Sequence, residues 1–283
     1  MPLPDGRTLR LGERTLVMGI LNVTPDSFAD GGDRLDPDVA IAAALGMAEA
    51  GADLIDLGGE SPRPGAPPLP EAEEWRRVAP VLEGLRGRLA VPISIDTYKA
   101  GVAERAVALG AVIVNDISAF TYEPAIAGVV ARTGVAAILM HNRGRSADIY
   151  EFATYTDVAA EVAAELGARV EAAVAAGVAR EKIIVDPGYG FAKRAAHTLA
   201  LLARLDALAA LGRPWLSGPS RKSFLKVPLG DVPPAARVWG TAAAVTASVL
   251  AGAHLVRVHD VAPMVDVVRT ADAIRDRKST RLN

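Results

Sequence analysis

The 283-residue chain contains no cysteine. That excludes disulfides, thiolate nucleophiles and cysteine-ligated metals, and it suits a reducing compartment, so a cytoplasmic protein is expected. A surplus of either charge is also lacking: 31 Lys and Arg against 33 Asp and Glu leave a formal net charge of −2. Nothing global draws such a chain to nucleic acid or to an anionic membrane, so any anion site must be assembled locally. Residues 1–6 show no basic region followed by an apolar one, and no secretory signal is read there. Residues 238–256 carry no Asp, Glu, Lys or Arg, but Gly240, Thr241, Thr246, Ser248, Gly252 and His254 interrupt them. Gly252 reads as a helix stop before a strand, which makes two buried elements rather than a membrane span. Several catalytic signatures are missing as well. There is no P-loop, no G-x-G-x-x-G turn after the first apolar run and no G-x-S-x-G elbow. His141, His197, His254 and His259 lack the helical pairing with carboxylates that a zinc site needs.

What is present is alternation. Apolar runs at 16–23, 54–57, 93–95, 112–114, 136–140, 183–185, 215–216 and 255–258 are separated by amphipathic stretches. Those stretches cover 40–50, 71–86, 100–109, 123–132, 157–176, 198–211 and 234–251, with a last helix expected over 264–274. Strands buried on both faces read as continuous apolar runs, and right-handed crossovers return each helix over the sheet. Eight such units predict an α/β protein with one (β/α)8 TIM barrel over residues 1–276, in preference to an open doubly wound sheet. Residues 8–13 are expected to form a short N-terminal hairpin under the barrel. Residues 277–283 lose the apolar period and are expected to be a frayed tail or a non-native extension. Two loops, 22–33 and 58–70, are dense in Gly, Pro and Asp and fall where barrel enzymes keep lids and ligand contacts.

Nearly every predicted strand ends in a polar group. Asn22 ends the first, Gly58-Gly59-Glu60 the second, Asp96 the third, Asn115-Asp116 the fourth, His141-Asn142 the fifth and Asp186 the sixth. Ser217, Ser220, Arg221 and Lys222 follow the seventh, and Arg257 and His259 belong to the eighth. In a barrel these ends converge on one mouth. Asp96, Asn115 and Asp186 suit a flat, nitrogen-rich heterocycle; Arg63, Arg257 and His259 suit a polyanion such as a diphosphate; Lys222 serves either. Each residue also has a plain alternative. Asp96 is placed to cap a helix, Asn115-Asp116 and Asp186-Pro187-Gly188 are good turns, His259-Asp260 precedes the last helix, and Arg221-Lys222 reads alone as a solvated pair.

These segments resemble the dihydropteroate synthase family of pterin-binding barrels from about residue 16 to residue 268. The likeness rests on 18–28 (MGILNVTPDSF), 56–65 (DLGGESPRPG), Ser94-Ile95-Asp96-Thr97, Asn115-Asp116, Met140-His141, 186–191 (DPGYGF), Ser220-Arg221-Lys222 and 257–261 (RVHDV), in the family's order. The resemblance implies condensation of 6-hydroxymethyl-7,8-dihydropterin diphosphate with 4-aminobenzoate, with Mg²⁺ on Asn22 beside the diphosphate. It implies that Asp96, Asn115 and Asp186 hold the pterin with Lys222 and Arg257, and that Arg63, Arg257 and His259 hold the diphosphate. Asp186, Lys222, Arg257 and His259 become the catalytic set. Thr24, Phe28, Pro64 and Ser223 shape the amine pocket, and Pro62, Met140 and Phe191 complete the substrate contacts. A homodimer is implied too, and the apolar helix over 241–251 is a candidate face for it. Rival readings are a pterin-dependent methyltransferase domain, a non-catalytic pterin-binding paralogue, and an aldolase using Lys222 as a Schiff base.

Three positions depart from the family pattern. Pro62 stands where Thr is usual, Ala192 where Gly is usual, and His141-Asn142-Arg143-Gly144 differs from the commoner Met-Gln-Gly form. Pro62 removes a hydroxyl and a backbone donor beside Arg63. A Pro62→Thr variant is therefore expected to show a lower KM for 4-aminobenzoate than the parent; equal values in steady-state assays would refute this.

Overall fold

The computed structural model describes residues 1–24, 36–60, 68–145 and 149–279, the last three as backbone. Eight strands run β1 Leu16–Asn22, β2 Leu54–Gly58, β3 Ile93–Asp96, β4 Ala111–Asp116, β5 Ala136–Met140, β6 Ile183–Asp186, β7 Leu216–Ser217 and β8 Leu255–Val258. Between and after them lie α1 Pro37–Glu49, α2 Glu71–Leu85, α3 Ala100–Ala108, α4 Ala125–Thr133, α5 Val158–Ala175, α6 Ala195–Leu202, α7 Val238–Leu250 and α8 Val261–Ser279. The strands are parallel in the order β6-β5-β4-β3-β2-β1-β8-β7. A parallel bridge between Val185 and Trp215 joins the two ends, so the sheet closes into a (β/α)8 barrel.

Side chains alternate across each strand, and in a closed barrel one parity faces inward. Leu16, Met18, Leu54, Ile113, Ala136, Ile138, Ile184, Leu216 and Leu255 form the inner core. Val17, Leu21, Ile55, Leu57, Ile95, Val114, Leu139, Val185, Val256 and Val258 pack outward against the helices. Leu3 and Leu9 join the inner core and plug the bottom. The N-terminal hairpin turns earlier than residues 8–13: Pro2 pairs antiparallel with Thr8, and Leu9 N–H donates to the Met1 carbonyl at 2.9 Å.

Two helices differ from expectation. The stretch expected over 198–211 begins at Ala195 and breaks into α6 and a 3₁₀ segment, Leu205–Leu211; the break at Arg204, φ −135°, lets both Leu205 and Leu208 pack inward. The stretch over 234–251 opens with a 3₁₀ turn, Pro234–Arg237, with Pro234 in its first turn, where the missing N–H has no intrahelical partner to lose. The last helix begins before residue 264 and continues to Ser279, so 277–279 extend its backbone; 280–283 lie outside the described residues. Among the described residues no helix is long and apolar enough to cross a membrane.

Candidate active site

The parity that sends Leu54 and Ile113 inward also sends in the polar residues two positions later. Register pairs Asn22 with Gly58, Gly58 with Asp96 and Asp96 with Asn115, so these residues form one row at the barrel mouth. Arg257, in step with Leu255 on β8, reaches across it. Its Nε donates to Asp56 Oδ2 at 2.6 Å and its Nη2 to Asp96 Oδ2 at 2.6 Å. Asp56 is fully buried, and its Oδ2 also accepts from Asn115 Nδ2 at 2.9 Å. With its amide nitrogen given to Asp56, Asn115 has its oxygen left for a ligand donor. Among the described residues Asp56 Oδ1 has no hydrogen-bond partner.

The loops after β6, β7 and β8 complete the mouth. Asp186 Oδ1 accepts the Gly188 N–H at 2.7 Å, so this residue makes its turn and still faces the site. Gly188 has φ +65°, and a Cβ there would lie 2.1 Å from the His141 carbonyl oxygen; only glycine fits. Lys222 Nζ donates to the Tyr189 carbonyl at 2.6 Å and sits 4.8 Å from the Phe191 ring centre. Ser220 Oγ lies 2.9 Å from His259 Nδ1 and accepts the His259 backbone N–H at 3.1 Å. Arg221 Nε donates to Asp260 at 2.9 Å, so Arg221-Lys222 is not a free surface pair. Ser223 opens a 3₁₀ turn and lines a cavity of about 250 Å³ with Gly190, Lys193 and Phe224.

Other strand-end residues turn away. Asp116 has the outward parity and accepts from Ser118 N, Ser118 Oγ and Phe120 N, which makes it a turn residue. Glu60 pairs with Lys99 and Tyr98. Ser217 binds Tyr189 and Ser248. His141 points beneath the β6 loop, with Nδ1 2.7 Å from Lys193 Nζ. Asp96 caps no helix, since its carboxylate is taken by Arg257 and the cap of α3 is Lys99. Met140 is buried in register with Asp186, and Thr24 is buried just past β1. Phe28, Pro62, Arg63 and Pro64 lie outside the described residues. Asp56 and Lys193 were not singled out from sequence. A carboxylate at the centre of the apolar strand Leu54-Ile55-Asp56-Leu57-Gly58 was the available signal for the first.

No group of three His, Asp or Glu among the described residues could hold a metal by itself. Asn22 Oδ1 and Asp96 flank Gly58, where a Cβ would lie 3.7 Å from the amide oxygen and 3.4 Å from Asp96 Cβ. A hard oxygen donor in a cradle kept open by glycine fits a magnesium ion that takes its remaining ligands from water and phosphate.

Burial dominates the protonation of the mouth. It pushes Asp96 up to about 7, against the pull of Arg257 and with a further push from Asp56. It pushes Lys222 down to about 8, partly offset by Asp186. His259 falls to about 4 through burial and the nearby Arg257 and Arg221 cations, so it enters the site as a neutral donor rather than a cation at pH 7. Ionised Asp96 is lost as pH falls through about 7 and the Lys222 ammonium as pH rises through about 8. Binding of a pterin lacking the diphosphate is expected to peak between these values, and Asp96→Asn is expected to remove the acid limb. Calorimetric Kd values across pH check this; a flat profile in the parent would refute it.

The sequence pattern described as pterin binding enzyme matches residues 18–259. The chain is 47% identical over 274 residues to dihydropteroate synthase of Synechocystis, covering 96% of this chain and 95% of that protein. It also resembles the solved dihydropteroate synthase of Xanthomonas albilineans with 4-aminobenzoic acid, at 45% identity and a TM-score of 0.87, covering 93% of this chain and 94% of that one. A structure of the Xanthomonas enzyme in complex with 7,8-dihydropteroate gives 42% identity and a TM-score of 0.84, with 95% of each chain covered. Barrel, mouth and sequence agree: the chain belongs to the dihydropteroate synthase family of pterin-binding enzymes.

Proposed function

We infer that this chain is a transferase condensing 6-hydroxymethyl-7,8-dihydropterin diphosphate with 4-aminobenzoate, giving 7,8-dihydropteroate and diphosphate in folate biosynthesis. The observation that carries this reading is the junction of an acceptor-rich floor, Asp96, Asn115 and Asp186, with a donor-rich wall, Lys222, Arg257 and the Ser220–His259 pair. The floor suits the N–H groups of a pterin, and Lys222 and Arg257 lie between ring and anion. Arg257, His259 and Arg63 hold the diphosphate.

The aromatic amine is already a neutral nucleophile, so no covalent enzyme intermediate is required. The carbon–oxygen bond at the pterin methylene breaks first, its electron pair leaving with diphosphate; the amine nitrogen then bonds to that carbon and loses one proton. Charge gathering on the leaving oxygens is met by fixed donors in a recessed site, which is where such donors act most strongly. Asp186 stabilises cationic character on the pterin, favouring an S_N1-like course. Mg²⁺ held through Asn22 would neutralise diphosphate oxygens. The reading is tested by diphosphate release with and without 4-aminobenzoate: amine-dependent release with dihydropteroate formation supports it, whereas pterin binding without release sinks it.

The same reading assigns the protein to the cytoplasm as a homodimer. Helix α7 carries no charged residue, yet Trp239 is 76% exposed, and Leu250, Val227 and Leu229 are exposed with it. A helix apolar on all sides asks for cover on its outer face. Trp239→Glu is expected to turn a dimer into a monomer by light scattering; a monomeric parent would refute the assignment.

A further inference from the structure

Lys193 is 1% exposed; burial pushes its amine well below the ordinary lysine range, and it meets no carboxylate among the described residues. Its Nζ lies within hydrogen-bonding distance of three acceptors: His141 Nδ1 at 2.7 Å, the Gly188 carbonyl at 3.0 Å and the Phe191 carbonyl at 2.9 Å. The histidine is set up to accept. Its Nε2 lies 3.1 Å from Glu165 Oε2, a carboxylate can only accept, and so Nε2 carries the proton and Nδ1 the lone pair. Burial and the neighbouring lysine hold His141 down to about 4, which keeps the ring neutral. Arg143 fixes Glu165 from the far side with Nε at 3.1 Å.

Burying a lysine amine is costly, and an apolar side chain of similar reach would fill the space more cheaply. What Lys193 secures is the turn after β6. Gly188, Gly190 and Ala192 all have positive φ, at 65°, 77° and 49°, and Ala192 carries the penalty of an L-residue in that region. The two carbonyls bound by Lys193 bracket this turn. On one side of it Lys222 donates to the Tyr189 carbonyl and stands 4.8 Å from the Phe191 ring. On the other side the cavity lined by Gly190, Lys193, Ser223 and Phe224 opens. Asp186 shares one bond with this turn, from the Gly188 N–H, but its backbone is held by strand pairing with Met140 and by its carbonyl accepting the His141 N–H at 2.8 Å.

We propose that Lys193, oriented by His141 and Glu165, is a positioning residue for the aromatic amine: by holding the Gly188 and Phe191 carbonyls it sets the wall between the pterin and amine subsites. The proposal rests on the synthase reading for the identity of the second substrate. Lys193→Met keeps the reach and removes every donor; His141→Leu removes one acceptor of three. Lys193→Met is expected to raise the 4-aminobenzoate KM at least about tenfold, with the pterin diphosphate Kd, measured by calorimetry, changed less than about threefold. His141→Leu should move the same KM about threefold, and amide hydrogen exchange of residues 188–192 should quicken in both variants.

An amine KM within twofold of the parent overturns the proposal, as does a parallel rise of amine KM and pterin Kd, which marks general loss of the site. If Lys193→Met does not fold, the same split in His141→Leu decides. Should the parent release no diphosphate with any amine, the synthase reading fails by itself. Unchanged exchange of 188–192 in Lys193→Met would then still refute the role of Lys193 in ordering the turn.

Discussion

Replacing Arg257 with leucine is expected to lower kcat/KM about a thousandfold, the scale of losing a preorganised donor to developing charge. The same change should strand two carboxylates, because Arg257 is the cation shared by Asp56 and Asp96. Removing one partner of a buried ion pair costs about 3–5 kcal/mol. The pH dependence of that cost has a definite sign. Without the guanidinium the buried Asp96 carboxyl favours the protonated form more strongly in the fold than in the unfolded chain, so stability recovers as pH falls. Urea unfolding of Arg257→Leu at pH 8 and at pH 6 should show the larger deficit at pH 8. A deficit independent of pH, or a catalytic loss below tenfold, would mean that Arg257 neither neutralises the floor nor meets the leaving group.

Asp186→Asn is expected to reduce kcat/KM for the pterin diphosphate about a hundredfold with little change in stability. An asparagine oxygen can still accept the Gly188 N–H bound by Asp186 Oδ1, so the turn and the Phe191 wall should survive. What disappears is a negative charge facing the heterocycle, and with it the attraction that offsets the burial of Lys222. The Lys222 ammonium should then titrate lower, moving the alkaline limb of pterin binding below its parental position. A variant that keeps parental kcat/KM would show that Asp186 serves only the turn, the plain reading its Asp-Pro-Gly sequence also allows.

Eight apolar runs separated by amphipathic stretches were enough to read the barrel, since strands buried on both faces leave little room for polar residues below the mouth. Where strand ends were read as a polar rim, sequence could not separate neighbours. Asn115 and Asp116 are adjacent and both polar, yet one faces the mouth and the other closes a turn, because alternation gives them opposite sides of the sheet. Glu60 belongs to a strongly matching segment but is spent on Lys99 and Tyr98. Conversely, Asp56 sat unassigned inside an apolar strand, and it is the group that orients both Arg257 and Asn115.

By itself, then, the sequence determined the repeating β/α order, the ends at which polar groups collect and the family to which the chain belongs, because periodicity and local motifs are carried by residues near one another in the chain. The tertiary structure alone decided which of those groups share a site. Arg257 and Asp56 are 201 residues apart, and Lys193 and His141 are 52 apart; only closure of the barrel brings such pairs within hydrogen-bonding distance. Closure also decided their charge. Burial, which no local pattern reports, raises Asp96, lowers Lys222 and keeps His259 and His141 neutral.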